Sequence, residues 1–133
     1  MSITADEMAI RNLLTTYEAA LNASDTEAVM PLYADDGVFM APNHPSAVGK
    51  AALRRAYDAV FEAITLRVKF TIVEVVVTAP LWAFARTNSA GEQKINAVGT
   101  TSAEANQELF VLNKGSDGRW RIARYSFSTT NPA

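Results

Sequence analysis

Glu108 is the residue whose setting holds the most chemistry. It shares strand parity with Asn106, Phe110 and Leu112 in the alternating stretch 106–113, so one strand face carries a carboxylate, a carboxamide and two large apolar groups. With that face inward, desolvation favours the neutral carboxyl and suits Glu108 to general acid–base work near neutral pH. Burial has a second outcome, because buried charges persist by pairing. Arg86 is the partner the pattern offers: Trp82, Phe84 and Arg86 share one face of the strand over 81–87, with Ala83 and Ala85 on the other. A paired guanidinium still binds an anionic or enolate oxygen. Both readings assign Arg86 to ligand recognition, Trp82 to a pocket wall, and Asn106 to the same face as Glu108, with Gln107 turned away.

The remaining polar side chains offer less. Tyr17 lies on the apolar face of a helix, where its hydroxyl meets either a ligand carbonyl or a buried polar partner. His44 is the only histidine, in the loop Pro42-Asn43-His44-Pro45; without a second imidazole it reads as an exposed loop residue rather than a metal ligand. Asp35 and Asp36 precede Gly37 and read as turn acids. Glu74 interrupts an apolar strand and marks an edge or an association surface. The chain has no cysteine, which excludes disulfides, thiolate metal sites and thiol nucleophiles. It has no phosphate-binding glycine loop, dinucleotide fingerprint or serine-nucleophile motif. Neither a metal nor a cofactor is expected.

These side chains need a scaffold, and 133 residues supply one domain, spanning 1–133. Twelve basic against 14 acidic residues leave a net charge of -2, which argues against a nucleic-acid partner. The start MSITADEM carries acid where a signal peptide carries base, and no apolar run is long enough for a bilayer. A cytoplasmic protein with no membrane partner is expected. Thr4-Ala5-Asp6-Glu7 is a capping box ahead of Ile10, Leu13, Leu14, Tyr17 and Leu21 at helical spacing. Ser24-Asp25-Thr26-Glu27 opens a short helix through Tyr33 that Pro31 must distort or shorten. Leu53, Ala56, Tyr57, Val60, Phe61 and Ile64 define a third helix from Lys50. Residues 38–41 make a brief strand.

Beyond residue 66 the period changes. Residues 66–78 are rich in β-branched side chains and read as a long strand, followed by strands over 81–87, 106–113 and 120–128. Residues 89–104 stay unassigned apart from a candidate strand over 93–98. In the last strand the apolar phase shifts from Trp120 and Ile122 to Ala123, Tyr125 and Phe127, which predicts a bulge or a curved strand. Three helices before a run of antiparallel strands give an α+β fold, with a strongly curved sheet and the first and third helices enclosing a cone. Tyr17, Phe39, Tyr57, Phe61, Trp82, Phe84, Phe110 and Phe127 are read as inward, and Val73, Val75 and Val77 as an outer apolar face that a second copy would cover.

Specific phrases then carry a resemblance. Tyr17-Glu18-Ala19-Ala20-Leu21-Asn22-Ala23-Ser24-Asp25 and Leu32-Tyr33-Ala34-Asp35-Asp36-Gly37-Val38-Phe39-Met40-Ala41-Pro42 resemble the nuclear transport factor 2-like cone fold, which includes ketosteroid isomerases, SnoaL-like cyclases and scytalone dehydratases. Val48-Gly49-Lys50-Ala51-Ala52-Leu53 resembles its loop-to-helix entry. The stretch from Asn106 to Leu112, together with the run from Asp117-Gly118-Arg119-Trp120 to Phe127, is similar to the SgcJ/EcaC-type branch of SnoaL-like proteins. The resemblance implies a cystatin-like cone barrel. It also places Tyr17 where ketosteroid isomerases have an oxyanion-hole tyrosine on the first helix.

Their general base is an acid just before a proline, and here Ala41 precedes Pro42, so that mechanism does not carry over. The aspartate and histidine of the cyclases have no counterpart. This leaves two expectations. In one, the cone binds a small apolar molecule bearing a carbonyl or carboxylate, lined by Tyr17, Phe39, Tyr57, Trp82, Arg86, Asn106 and Glu108. Cofactor-independent isomerase-, cyclase- or dehydratase-like chemistry then falls to Glu108 and Tyr17. In the other, the chain is a non-catalytic dimeric domain whose cone is a filled core.

Overall fold

The computed structural model describes residues 3–131, so the outermost two positions at each end of the expected 1–133 domain lie outside the described residues. Helix α1 (Ala5–Asn22) starts at Thr4, whose hydroxyl accepts from the Glu7 N–H at 3.1 Å, and it buries Ile10, Leu13, Leu14, Tyr17, Ala20 and Leu21. Helix α2 (Thr26–Val29) begins one residue later than the Ser24 capping box predicts. Asp25 is the cap, accepting from Ala28 N–H at 3.1 Å, because Ser24 is held at positive φ in the turn out of α1. Pro31 ends α2 in a 3-10 turn over Met30–Leu32, as a ring without an N–H must. Helix α3 runs from Lys50 to Ala63.

The strands are β1 (Tyr33–Met40), β2 (Ala47–Val48), β3 (Ile64–Ala79), β4 (Trp82–Ile95), β5 (Thr100–Lys114) and β6 (Trp120–Thr129). They form one unclosed sheet in the order β2-β1-β6-β5-β4-β3. The expected antiparallel sheet is mixed at one place, since β1 lies parallel to β6 while every other neighbour is antiparallel. These two strands come from opposite ends of the chain, so no hairpin dictates their direction. The unassigned stretch 89–104 is strand on both sides of a short turn at 96–99. Its polar composition hid it: that end of the β4–β5 hairpin is largely exposed, tied to the end of α3 through Asn96, which donates to the Phe61, Glu62 and Ala63 carbonyls.

Two bulges set which side chains face the helices. In β6 the register passes from Arg124 opposite Val111 to Ile122 opposite Leu112, leaving Ala123 as the extra residue where the sequence shifts phase. In β3 Val73 is the extra residue between Ile72, opposite Thr87, and Glu74, opposite Arg86. That bulge corrects the outer-face reading. Val75 and Val77 pair with the buried Ala85 and Ala83 and share their concave face, and Val73 alone of the three stays outside.

Trp82, Phe84 and Arg86 require the opposite correction, for they lie on the convex face. The concave side of β4 carries Ala83, Ala85, Thr87 and Ser89, all buried. Phe110 and Leu112 stand directly opposite Ala85 and Ala83 and are fully buried, so the inner surface has room only for small groups there.

Side chains of α1 seal the free edge of β3. Asn22 Nδ2 donates to the Val68 carbonyl and Asn22 Oδ1 accepts from the Val68 N–H, both at 2.8 Å, and the Phe70 N–H donates to Glu18 at 2.5 Å. Edge backbone groups are thereby paired rather than left as a template for another chain. At the helix's other end, Asp6 accepts from Lys114 Nζ at 3.1 Å and Trp120 Nε1 at 2.9 Å, tying α1 to β5 and β6. Among the described residues no helix is long and apolar enough to cross a membrane.

The β3–β4 hairpin bends where Gly91 pairs with Val68, so closely that a Cβ on Gly91 would lie 2.0 Å from the Arg67 carbonyl oxygen. Gly91→Ala should therefore destabilise the protein by about 1–3 kcal/mol, the usual cost of overpacking, read as a lower urea midpoint. An unchanged midpoint would show that the two strands separate there at little cost.

Candidate active site

Between α1, α3 and the concave sheet lies a cavity of about 490 Å³. Tyr17, Phe39, Tyr57, Phe70, Tyr125 and Phe127 give it aromatic walls, and Glu104, Asn106 and Glu108 form a polar strip along β5. The strip follows from strand geometry, because residues two apart on β5 share the concave face.

Glu108 is 5% exposed. One carboxylate oxygen accepts from the Thr87 hydroxyl and the other from the Ser89 hydroxyl, each at 2.6 Å. Thr87 is its direct cross-strand neighbour and Ser89 its diagonal one, so the two hydroxyls reach one carboxyl without distortion. Burial pushes the Glu108 carboxyl above the ordinary glutamate range; the Ser89 and Thr87 hydroxyls pull it back, and the Glu104 charge adds to the rise. Asn106 Nδ2 donates to Glu104 Oε1 at 2.6 Å.

A second polar feature crosses the wall. The Tyr17 and Tyr57 hydroxyls lie 2.7 Å apart and the Tyr57 and Tyr33 hydroxyls 2.6 Å, all three side chains almost fully buried. Burial raises the phenols, so they stay protonated. Each hydroxyl has one proton to give. If Tyr33 donates to Tyr57 and Tyr57 to Tyr17, the Tyr17 proton is left for the neighbouring Tyr125 hydroxyl or for an acceptor in the cavity. The Tyr17 ring is held edge-on against Tyr57, Phe70, Phe110 and Tyr125.

Of the residues singled out in the sequence, Tyr17, Phe39, Tyr57, Asn106 and Glu108 converge on this cavity. Arg86 and Trp82 do not. Arg86 forms an ion pair with Glu74, its cross-strand neighbour on the convex face, and Trp82 is 47% exposed there. The expected Glu108–Arg86 pair is replaced by the two hydroxyls. Sequence reasoning missed Thr87, Ser89, Glu104 and the Tyr33 hydroxyl. The signal was there: Thr87 and Ser89 continue the parity of Ala83 and Ala85, and Glu104 is four residues before Glu108.

His44 is exposed but reaches the cavity mouth, beside Ala41 and Pro42. Its Nδ1 lies 2.9 Å from the Pro42 carbonyl oxygen, which can only accept, so Nδ1 carries the proton. Among the described residues, no three His, Asp or Glu side chains gather to hold a metal ion.

With this geometry in view, a model of the SnoaL-like domain family matches residues 14–125. No curated protein matches the chain. Among solved structures, it is similar to a ketosteroid isomerase-like protein from Erwinia carotovora atroseptica SCRI1043, with 38% identity, 98% of this chain and 100% of that one covered, and a TM-score of 0.94. A conserved protein from Planctomyces limnophilus DSM 3776 shares 23% identity over 94% of this chain and 98% of its own, at a TM-score of 0.82. A nuclear transport factor 2-like superfamily protein from Salmonella enterica serovar Typhimurium LT2 shares 15%, covering 95% and 92%, also at 0.82. The last two attest to the fold alone.

The raised Glu108 carboxyl predicts a pH dependence. Native Glu108 holds its proton more tightly than the unfolded chain does, so stability falls as pH rises from the ordinary glutamate range through the raised value. Glu108→Gln cannot ionise and escapes that loss. Its melting temperature relative to the parent should rise as pH climbs above the glutamate reference of about 4.3 and level off once the native carboxyl has ionised. A difference independent of pH would show that burial does not disfavour the ionised carboxyl.

Proposed function

The chain belongs to the SnoaL-like domain family of the nuclear transport factor 2-like superfamily, and from that premise we propose that its cone binds a small apolar, carbonyl-bearing molecule with which Glu108 exchanges a proton, without a cofactor. The observation that carries this reading is the buried Glu108 carboxyl in the same cavity as the end of a tyrosine hydroxyl chain. Ionised Glu108 takes a proton from the carbon beside the carbonyl. The C–H electron pair becomes the enolate C=C, and the oxygen's new charge meets the Tyr17 hydroxyl, backed by Tyr57 and Tyr33. Returning the proton to another carbon isomerises the molecule, and giving it to a β-hydroxyl as that C–O bond breaks expels water and dehydrates it.

The name of the Erwinia relative supports isomerase-like chemistry, with one relocation: Ala41 leaves no acid before Pro42, so the base acts from β5. A carboxylate-bearing ligand loses its basis, since Arg86 is engaged with Glu74 on the convex face. Ala41 also favours a second reading, a dimeric binding or assembly domain without turnover; the filled core expected with it is corrected by the cavity of about 490 Å³.

A dimer is part of both readings. The convex face presents Trp82 and Leu109, each 47% exposed, beside half-buried Val76, Phe84 and Val111. A second copy laid over this strip would cover apolar surface that water otherwise meets.

Propiophenone in D2O tests the chemistry without knowledge of the natural substrate. The protein should speed exchange of its α-protons; Glu108→Gln should lose about 100-fold or more and Tyr17→Phe a comparable factor, while the ketone still raises the melting temperature of both variants. Exchange that survives in Glu108→Gln removes the base assignment. Stabilisation without exchange in the parent selects the second reading, and no stabilisation at all refutes the cone as a ligand site.

Light scattering on the eluting 14.4 kDa chain should give a dimer, and Leu109→Glu should give a folded monomer. A monomeric parent, or a variant that stays dimeric, overturns the outer-face assignment.

A further inference from the structure

The charge pattern of the cavity narrows its occupant further than its shape does. Two carboxyl side chains, Glu104 and Glu108, line it four residues apart on the concave face of β5. Among the described residues no lysine or arginine lines it, and His44 at the mouth is the only lining side chain able to become cationic. Six aromatic rings line the space and supply apolar walls for the body of a ligand. Carboxylates set in low-dielectric walls focus their field into the cleft.

The two acids are not equivalent. Both Glu108 oxygens already accept from hydroxyls. Glu104 is half-buried, and among the described residues only its Oε1 accepts a hydrogen bond, from Asn106. Its other oxygen has no donor among the described residues and lies beside an aromatic-walled space. An anionic ligand meets repulsion from Glu104, and from Glu108 whenever that carboxyl is ionised. A neutral apolar ligand fits but leaves Glu104 half-served. A cation with an apolar body is attracted by the Glu104 carboxylate while its body packs on the aromatic walls.

We propose that the natural occupant of the cone is a cation, an apolar aryl-sized compound carrying an ammonium group that sits against Glu104 and the aromatic rings. The proposal rests on the reading of the cone as a ligand site and names the ligand's charge class. With the ammonium at Glu104, a carbonyl on the same molecule points down β5 toward Glu108 and Tyr17, so recognition and proton exchange use different acids.

Three aryl ketones of similar shape provide the test: phenacyltrimethylammonium, phenyl neopentyl ketone, and 2,2-dimethyl-4-oxo-4-phenylbutanoate. The first two are isosteres, a trimethylammonium against a tert-butyl group, differing in charge. Calorimetric titration at low salt should show the cation binding about tenfold tighter than the neutral ketone, the anion weaker than both, and the preference shrinking as salt screens the charges. Glu104→Gln, checked for an unchanged melting temperature, should cut the cation's advantage about fivefold while leaving the neutral ketone's affinity in place. If the neutral ketone binds as tightly as the cation, the inference is wrong and the cone remains a ligand site. If none of the three binds, the cone reading fails and takes this inference with it. A cation preference untouched by Glu104→Gln would overturn the role given to Glu104.

Discussion

Burying the Glu108 carboxyl is the constraint on which the rest of this structure depends. A carboxyl on the concave face of a curved sheet needs partners within reach, and the register of β4 against β5 supplies them as the Thr87 and Ser89 hydroxyls. Strand periodicity leaves no freedom after that. Once 87 and 89 face inward, 83 and 85 do too, and Trp82, Phe84 and Arg86 must face out. Arg86 then meets Glu74 across the β3 bulge. The apolar strip on the convex face and the acid on the concave face are thus two results of one phase choice.

The helices act on this arrangement from the other side. Asp6 at one end of α1 and Glu18 and Asn22 at the other fix the helix across the sheet through side-chain bonds to β5, β6 and the free edge of β3. Tyr17 lies between those anchors. Its hydroxyl can reach Tyr57 on α3 only while both helices keep their places, and Lys50 holds the start of α3 by donating to the Met30 and Tyr33 carbonyls at 2.6 and 2.8 Å. The Tyr33–Tyr57–Tyr17 chain of hydroxyls is therefore a product of helix placement more than of local sequence.

The legible and the hidden parts of the sequence have the same physical origin. Helix periodicity revealed α1 and α3, and a phase slip revealed the β6 bulge, because each signal is local. The inward place of Glu108 was legible from parity with Phe110 and Leu112. The phase of β4 was not, since large aromatic residues at 82 and 84 read as core while small ones fill a crowded concave surface. The error had one source and moved Trp82 and Arg86 together. In β3, β-branched residues at every position from 75 to 77 carry no alternation, so the bulge at Val73 was invisible. Thr87, Ser89 and Glu104 were overlooked because hydroxyls and acids in strands ordinarily face water; only their pairing with Glu108 and Asn106 across β4 and β5 gives them another role.

The inner face of β5 explains why a cavity exists at all. From Leu112 toward Glu104 it runs Leu112, Phe110, Glu108, Asn106, Glu104, a passage from apolar to charged along one strand. At the apolar end Phe110 stacks on Tyr125 at 4.2 Å between ring centres, and the cone is closed core. At the charged end the same collapse would strip water from a carboxamide and two carboxyls with too few partners to replace it, a cost that apolar contact does not offset. The aromatic walls therefore stop short of meeting. Space opens where β5 turns polar, and Glu108 occupies the junction, deep enough to be desolvated and near enough to the opening to touch what enters. Two residues deeper, at the fully buried place of Phe110, a carboxylate would have no access, while four residues outward Glu104 is already half-exposed to water, so the position of the acid along β5 sets both its proton affinity and its reach.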